Sequence, residues 1–121
     1  MSFRRGTVPS LRVRDVARTI AFYRDLLGFA LIGRHPADDP TWVALAHGPV
    51  ELQFFSDPPI GVGEPGLAGT LYLYPDDVRA LAERLRGRVP FEWGPEVRPY
   101  GMREFAILDP DGYRIAFTET A

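Results

Sequence analysis

The sequence predicts an α+β fold in which two βαβββ modules form one curved, cup-shaped mixed sheet with the helices on its convex side. A strand-like segment, a capped amphipathic helix and three further strand-like runs follow each other in order, and this order occurs twice along the 121 residues. Equivalent strands begin near Leu11 and Leu71, and equivalent helices end at Gly28 and Gly87. Two copies are too few for a solenoid, so a single joint sheet is favoured.

The first module begins with a strand and a helix whose two ends are both marked. Leu11 and Val13 alternate with polar residues, as in a half-buried strand. Asp15 stands at the position of an N-cap, apolar residues recur at helical spacing over 16–27, and Gly28 follows where a left-handed residue ends a helix. Three strands are predicted next, at Phe29–Arg34, Thr41–His47 and Val50–Ser56, the last two joined by a turn at Gly48-Pro49.

The second module repeats this order. Leu71 and Leu73 mark its first strand, Asp76-Asp77 caps a helix, and Gly87 closes that helix. The segment Asp109-Pro110-Asp111-Gly112 has strong turn chemistry and joins the last two strands. The remaining strands are predicted at Phe91–Val97, Met102–Leu108 and Tyr113–Thr118.

We therefore expect a single domain over residues 1–121, long enough to bury a core of its own. The first module covers about 7–56 and the second about 69–119. The intervening stretch, 57–68, is rich in Pro and Gly and has no periodicity, so it is predicted to be a linker or a flap.

Composition excludes several classes of partner. The chain has 14 basic and 16 acidic residues, so no basic surface for nucleic acid is expected. It has no cysteine, which excludes disulfides and thiolate metal sites. No segment approaches the roughly 20 apolar residues of a membrane span, and the N-terminus lacks the apolar stretch of a signal peptide. We expect a cytoplasmic protein with neither a nucleic-acid nor a membrane partner.

Two motif blocks carry a resemblance to a known superfamily. The first is Leu11–Val16 followed by Phe22–Phe29, and the second is Tyr100–Phe117 with its Arg-Glu-Phe-Ala and Asp-Pro-Asp-Gly segments. Together they resemble the glyoxalase/bleomycin resistance/extradiol dioxygenase (vicinal oxygen chelate) superfamily, especially its bleomycin-resistance branch. The resemblance covers about residues 8–119 and implies the doubled, curved-sheet fold. It leaves the activity open, because this superfamily contains isomerases, dioxygenases, thiol transferases and drug-binding proteins.

The resemblance also implies where a metal would bind. Metal-bearing members present His, Glu or Gln from four strands, and the motifs place those positions at Val8, Glu51, Thr70 and Ala116. Glu51 is the one plausible ligand of the four, and a single carboxylate binds a divalent ion weakly. We therefore expect neither a metal nor any other cofactor. His35 and His47 are predicted to be surface histidines.

Alternation along the strands extends the face that carries these four positions. It adds Ser10, Arg12, Gln53, Phe55, Tyr72, Tyr74, Arg114 and Thr118, and it leaves Leu11, Val13, Val50, Leu52, Phe54, Leu71, Leu73, Ile115 and Phe117 for the helix side. Aromatic rings provide large stacking areas at low entropic cost. The candidate ligand-binding residues are Trp42, Glu51, Gln53, Phe55, Thr70, Tyr72, Trp93, Tyr100 and Ala116.

Glu51 has two interpretations. Its carboxylate is either paired with Arg12, Arg114 or Gln53, or offered to a ligand that donates hydrogen bonds. The primary hypothesis is a metal-independent binding protein that sequesters an aromatic or peptide-derived antibiotic or metabolite in the groove of a homodimer. The alternatives are a metal-dependent lyase or thiol transferase, and a cofactor-independent enzyme, a lyase or isomerase, with Glu51 as general base.

Overall fold

The computed structural model of the chain describes residues 1–57 and 64–121, so the predicted linker or flap at 57–68 lies partly outside the described residues. The chain divides into two compact units, Met1–Pro65 and Gly66–Ala121. Each unit contains one of the two predicted modules. Within the described ranges, no helix is long and apolar enough to cross a membrane.

The first unit has the predicted order of one strand, one helix and three strands. Its sheet is mixed, because β1 pairs with β4 in parallel while the other two pairings are antiparallel. The strand order is β1-β4-β3-β2. The elements are β1 (Ser10–Arg12), α1 (Val16–Ala21), β2 (Ala30–His35), β3 (Trp42–His47) and β4 (Val50–Phe55).

The helix of the first unit begins and ends at the predicted residues, because Gly28 follows its last turn with a φ of 79°. The carboxylate of Asp15 accepts a hydrogen bond from the backbone N–H of Arg18, which confirms the N-cap. After α1 the chain continues in a π-helical turn over Phe22–Leu26, which the periodicity alone did not predict. In this wider turn Tyr23 is fully buried against Phe54, with ring centroids 4.9 Å apart.

The second unit repeats this topology. The carboxylate of Asp77 accepts a hydrogen bond from the backbone N–H of Ala80 and caps α2, and Gly112 adopts a φ of 85° in the predicted turn before the last strand. The strand order is β5-β8-β7-β6, with β5 and β8 parallel. The elements are β5 (Thr70–Leu73), α2 (Val78–Leu85), β6 (Trp93–Val97), β7 (Met102–Leu108) and β8 (Arg114–Thr120).

The strands form two hydrogen-bonded mixed sheets of four strands each, one in each unit. In each unit the fourth strand returns to pair in parallel with the first, so each unit completes a sheet from its own strands. The α+β class and the βαβββ order of both modules are confirmed.

Each sheet packs one face against the helix of its own unit. We call this the helix face and the opposite one the far face. Alternation predicted the helix face well: Val13, Leu52, Phe54, Ile115 and Phe117 are buried, and Leu11, Val50, Leu71 and Leu73 are half-buried. The core of each unit therefore lies between helix and sheet, and the predicted ligand-binding residues of the strands lie on the far faces.

Candidate functional site

The far face of the first unit carries two of the predicted contact residues, Trp42 and Phe55. Trp42 on β3 lies directly opposite Phe55 on β4, and both side chains are half-buried. Gly33 on β2 leaves room for the indole, since a Cβ at that position would lie 3.2 Å from the Trp42 ring. The two rings therefore lie side by side on adjacent strands, a suitable surface for stacking a flat molecule.

Glu51 lies on the same face and is paired within the chain. Its carboxylate accepts hydrogen bonds from Arg5 and, at 3.1 Å, from the amide of Gln53. Gln53 was one of the partners proposed from the sequence. Arg114, another of them, instead pairs with Glu92 at 3.1 Å. Arg5 was missed, because no local pattern links residues so far apart in the chain.

The carboxylate of Glu51 remains accessible despite these contacts. Its side chain is 18% exposed, and that of Arg5 is 62% exposed. An ion pair that is partly open to solvent contributes little to stability. A ligand that donates hydrogen bonds can therefore compete for Glu51.

The far face of the second unit has a row of side chains that crosses all four strands. Trp93, Ala106, Ala116 and Tyr72 lie opposite one another in register from β6 to β5. The two alanines are fully buried, whereas Tyr72 is 45% exposed. Ala116 thus presents no accessible surface, although it was among the predicted contact residues. Thr70 lies beside this row, opposite Arg114.

Trp93 is held between charged neighbours. The guanidinium groups of Arg98 and Arg114 lie 5.2 Å and 5.6 Å from the centroid of its ring, which is the distance of a cation–π contact. These contacts fix the position of the indole. They also bring two arginines to a face on which the sequence predicted only Arg114.

Glu104 is the main site residue that the sequence analysis missed. It is fully buried, and one carboxylate oxygen accepts a hydrogen bond of 2.5 Å from the hydroxyl of Tyr100. Arg98 lies 3.6 Å from the same oxygen and forms a closer ion pair, at 2.8 Å, with Glu96. Alternation from the buried Phe105 would have placed Glu104 on the far face.

Tyr100 links several residues of this group. Its hydrogen bond to Glu104, together with partial burial, raises the pKa of Tyr100 to about 12. Tyr72 also hydrogen-bonds the Tyr100 side chain, so two predicted site residues meet here. Hydrogen bonds to Tyr100 and Glu96 raise the pKa of Arg98 above its ordinary value, so its guanidinium is charged.

The positions implied for a metal carry few ligand atoms. Val8 has no donor side chain, Thr70 is half-buried, and the carboxylate of Glu51 is held by Arg5 and Gln53. Among the residues described, no group of three His, Cys, Asp or Glu side chains is suitably placed to hold a metal ion. His35 and His47 are exposed, as predicted for surface histidines.

The nine predicted contact residues divide between the units. The first unit brings together Trp42, Glu51, Gln53 and Phe55, and the second brings together Thr70, Tyr72, Trp93, Tyr100 and Ala116. Each far face therefore combines aromatic rings with a carboxylate. That combination suits noncovalent recognition of a molecule with an aromatic part and a hydrogen-bond donor.

Comparison with known proteins agrees with this architecture. A lactoylglutathione lyase from Haemophilus influenzae is 33% identical over 90% of this chain and 87% of its own length. A bleomycin resistance protein from Klebsiella pneumoniae is 30% identical over 86% of this chain and 83% of its own. The crystal structure of TnmS3, an antibiotic binding protein from Streptomyces sp. CB03234, superposes with a TM-score of 0.81 at 28% identity and covers 100% of this chain and 99% of that one.

The family profile decides the classification. The profile described as Glyoxalase/Bleomycin resistance protein/Dioxygenase superfamily matches residues 7–117, which is nearly the whole chain. Both motif blocks singled out in the sequence lie inside this range. The chain belongs to the glyoxalase/bleomycin resistance protein/dioxygenase superfamily.

Proposed function

We propose that this protein is a metal-independent small-molecule binding protein of the bleomycin-resistance type. The observation that carries the proposal is that the Glu51 carboxylate is hydrogen-bonded within the chain. It is the one acidic residue among the four positions implied for a metal, and both of its oxygens are engaged by Arg5 and Gln53. These contacts compete with a metal for the carboxylate, and its 18% exposure leaves it within reach of a ligand that donates hydrogen bonds.

The proposed ligand is an aromatic or peptide-derived antibiotic or metabolite. Its ring stacks on Trp42, with Phe55 as a neighbouring wall and Glu51 as the polar anchor. Relatives named as a bleomycin resistance protein and an antibiotic binding protein support this class of ligand. The protein acts in the cytoplasm as a homodimer and holds the ligand in a groove formed with the second copy.

The test is a thermal-shift and tryptophan-fluorescence screen with bleomycin and a panel of aromatic and peptide antibiotics. A true ligand raises the melting temperature, because it binds the native state alone; the gain is about 2.7 kcal/mol at a concentration of about 100 times the Kd. It also quenches tryptophan fluorescence, since Trp42 lies in the site. Trp42→Ala is expected to weaken binding by about 2 kcal/mol.

The matched control is Phe3→Ala, which removes an aromatic ring that is 79% exposed and remote in sequence from the site strands. This variant is expected to bind as the wild type does. A hit that binds wild type and Trp42→Ala equally well removes Trp42 from the site. A screen in which no compound shifts the melting temperature contradicts the proposed ligand class.

A second candidate is an enzyme of the same superfamily, a lyase, isomerase or thiol transferase, with Glu51 as general base. The 33% identity to a relative named lactoylglutathione lyase favours it. Elemental analysis of protein purified without chelator separates a metal enzyme from the binder. We expect no stoichiometric zinc, nickel, iron or manganese; about one ion per chain, lost in Glu51→Ala, contradicts the proposal. Turnover of a bound compound, abolished in Glu51→Gln, identifies a metal-independent enzyme.

A further inference from the structure

The two hydrogen-bond partners of Glu51 are attached to the fold in different ways. Gln53 lies two residues further along β4, and its amide donates to one carboxylate oxygen (Oε2) at 3.1 Å. Arg5 donates to the other oxygen (Oε1) from the segment that precedes β1. The first partner is therefore part of the sheet, whereas the second reaches Glu51 from outside it.

The segment that carries Arg5, residues 1–8, forms neither a helix nor a strand, and most of it is exposed. Its attachment among the described residues is the ion pair between Arg5 and Glu51. The next fixed point is the carbonyl of Pro9, which accepts from the backbone N–H of Gln53 at 2.9 Å. Moving Arg5 away from Glu51 therefore breaks this one ion pair and leaves the strands unchanged. Because the Arg5 side chain is 62% exposed, the pair contributes little to stability.

The carboxylate of Glu51 nevertheless needs a positive charge beside it. Its side chain is 18% exposed, so it has lost most of its contact with water. A carboxylate in such a place is stabilised by a hydrogen-bonded cation, and the neutral amide of Gln53 supplies no charge. A ligand group that replaces Arg5 must therefore be positively charged and must carry N–H groups.

The aromatic side chains of the same face set the length of such a ligand. Phe55 lies four residues beyond Glu51 on β4 and directly opposite Trp42 on β3. Four residues along a strand span about 14 Å. A molecule that contacts both places therefore carries its ring and its cation at separate ends.

We propose that Arg5 is an internal competitor of the ligand: its guanidinium occupies Glu51 in the free protein and is displaced by a guanidinium of the ligand. In the bound state Oε1 of Glu51 accepts from the ligand, Gln53 keeps Oε2, and residues 1–8 are released. The inference rests on the proposed function and specifies its ligand class as aromatic, peptide-like molecules with a guanidinium group at one end.

The experiment compares two dipeptides, N-acetyl-phenylalanyl-arginine amide and its citrulline analogue, in which a neutral urea of nearly the same shape replaces the guanidinium. Their affinities are measured by ligand-observed NMR titration at neutral pH. Arg5→Ala, in which nothing competes for Glu51, is expected to bind the arginine peptide about tenfold more tightly than the citrulline peptide. In the wild type this ratio is about twofold, because a partly exposed ion pair offsets up to about fivefold of the preference.

Two variants separate competition from a general effect of charge. Arg4→Ala removes an equal charge from the exposed neighbouring residue and is expected to keep the wild-type ratio. Glu51→Gln keeps the shape of the side chain and removes its charge, so the ratio falls to about one. An equal ratio in the wild type and Arg5→Ala overturns the inference, and so does a failure of both proteins to bind either peptide.

A second measurement follows the release of the segment in the wild type itself. The heteronuclear ¹⁵N–¹H NOE of the Arg5 backbone amide is expected to fall when the arginine peptide binds and to stay unchanged with the citrulline peptide. An NOE that does not respond to the bound arginine peptide overturns the inference.

The proposed function is decided separately. Trp42→Ala is expected to weaken binding of both peptides equally and to leave their ratio unchanged. If this variant binds both peptides as tightly as the wild type does, the result contradicts stacking on Trp42 and leaves the competition by Arg5 intact.

Discussion

At the scale of single residues, the pKa of Tyr100 reports on its hydrogen bond to Glu104. The hydrogen bond to Glu104 favours the neutral phenol and raises its pKa to about 12, above the ordinary value of 10.0. Because the folded-state pKa is raised, the stabilisation is fully present below pH 10 and is lost as the pH rises through about 12. An ultraviolet titration of phenolate should therefore show a step near pH 12 that is missing in Tyr100→Phe. A Tyr100 that titrates near pH 10 would contradict this hydrogen bond.

Gly94 is a second residue whose identity is dictated by its surroundings. It has a φ of 78° beside Trp93, and an added Cβ would lie 2.2 Å from the backbone oxygen of Glu104. Gly94→Ala is expected to lower the free energy of unfolding by about 2 kcal/mol or more, since both the conformation and the contact are unfavourable. Gly69→Ala is the control, because nothing lies within 4 Å of its Cβ position. Equal denaturation midpoints for the two variants would show that β6 accommodates the added methyl group at Gly94 without loss of stability.

At the scale of elements, two side chains accept hydrogen bonds from the backbone N–H groups at the N-terminus of α2. Asp77 accepts from the backbone N–H of Ala80, and Glu119 on β8 accepts from that of Val78, each at 3.0 Å. Asp77→Ala is expected to lower the free energy of unfolding by about 1 kcal/mol, the usual effect of losing an N-cap. Asp76→Ala changes the same charge one residue earlier, outside the cap, and should have little effect in the same urea titration. If Asp77→Ala were as stable as Asp76→Ala, the hydrogen bond from Val78 to Glu119 alone would be enough to cap α2.

Elements with local determinants were the ones that the sequence predicted correctly. Asp15 and Asp77 mark helix starts because their side chains bond to a backbone N–H three residues on, and strand faces follow from simple alternation. The π-helical turn at Phe22–Leu26 and the pair between Arg5 and Glu51 have no such local cause. They follow from packing and from distant contacts, which one sequence does not reveal. Glu104 differs from these, because alternation from the buried Phe105 alone places it on the far face of β7.

At the scale of the whole molecule, exposed apolar side chains on the second unit bear on assembly. Tyr72, Tyr74, Val97 and Tyr100 are between 45% and 70% exposed. Exposed apolar side chains are common in protein interfaces, and twofold pairing is the commonest form of assembly. A stable pair buries about 800 Å² on each partner, which requires a surface of this kind.

Sedimentation equilibrium at micromolar concentration is therefore expected to give a species of twice 13.6 kDa. If the ligand lies in a groove shared by two copies, it binds the dimer and not the monomer, and saturating bleomycin should strengthen the association by mass action. Trp42→Ala should form the same dimer and lose that response, because the variant removes the stacking surface and leaves the association intact. A single species near 13.6 kDa, with or without bleomycin, would contradict both the dimer and the shared groove.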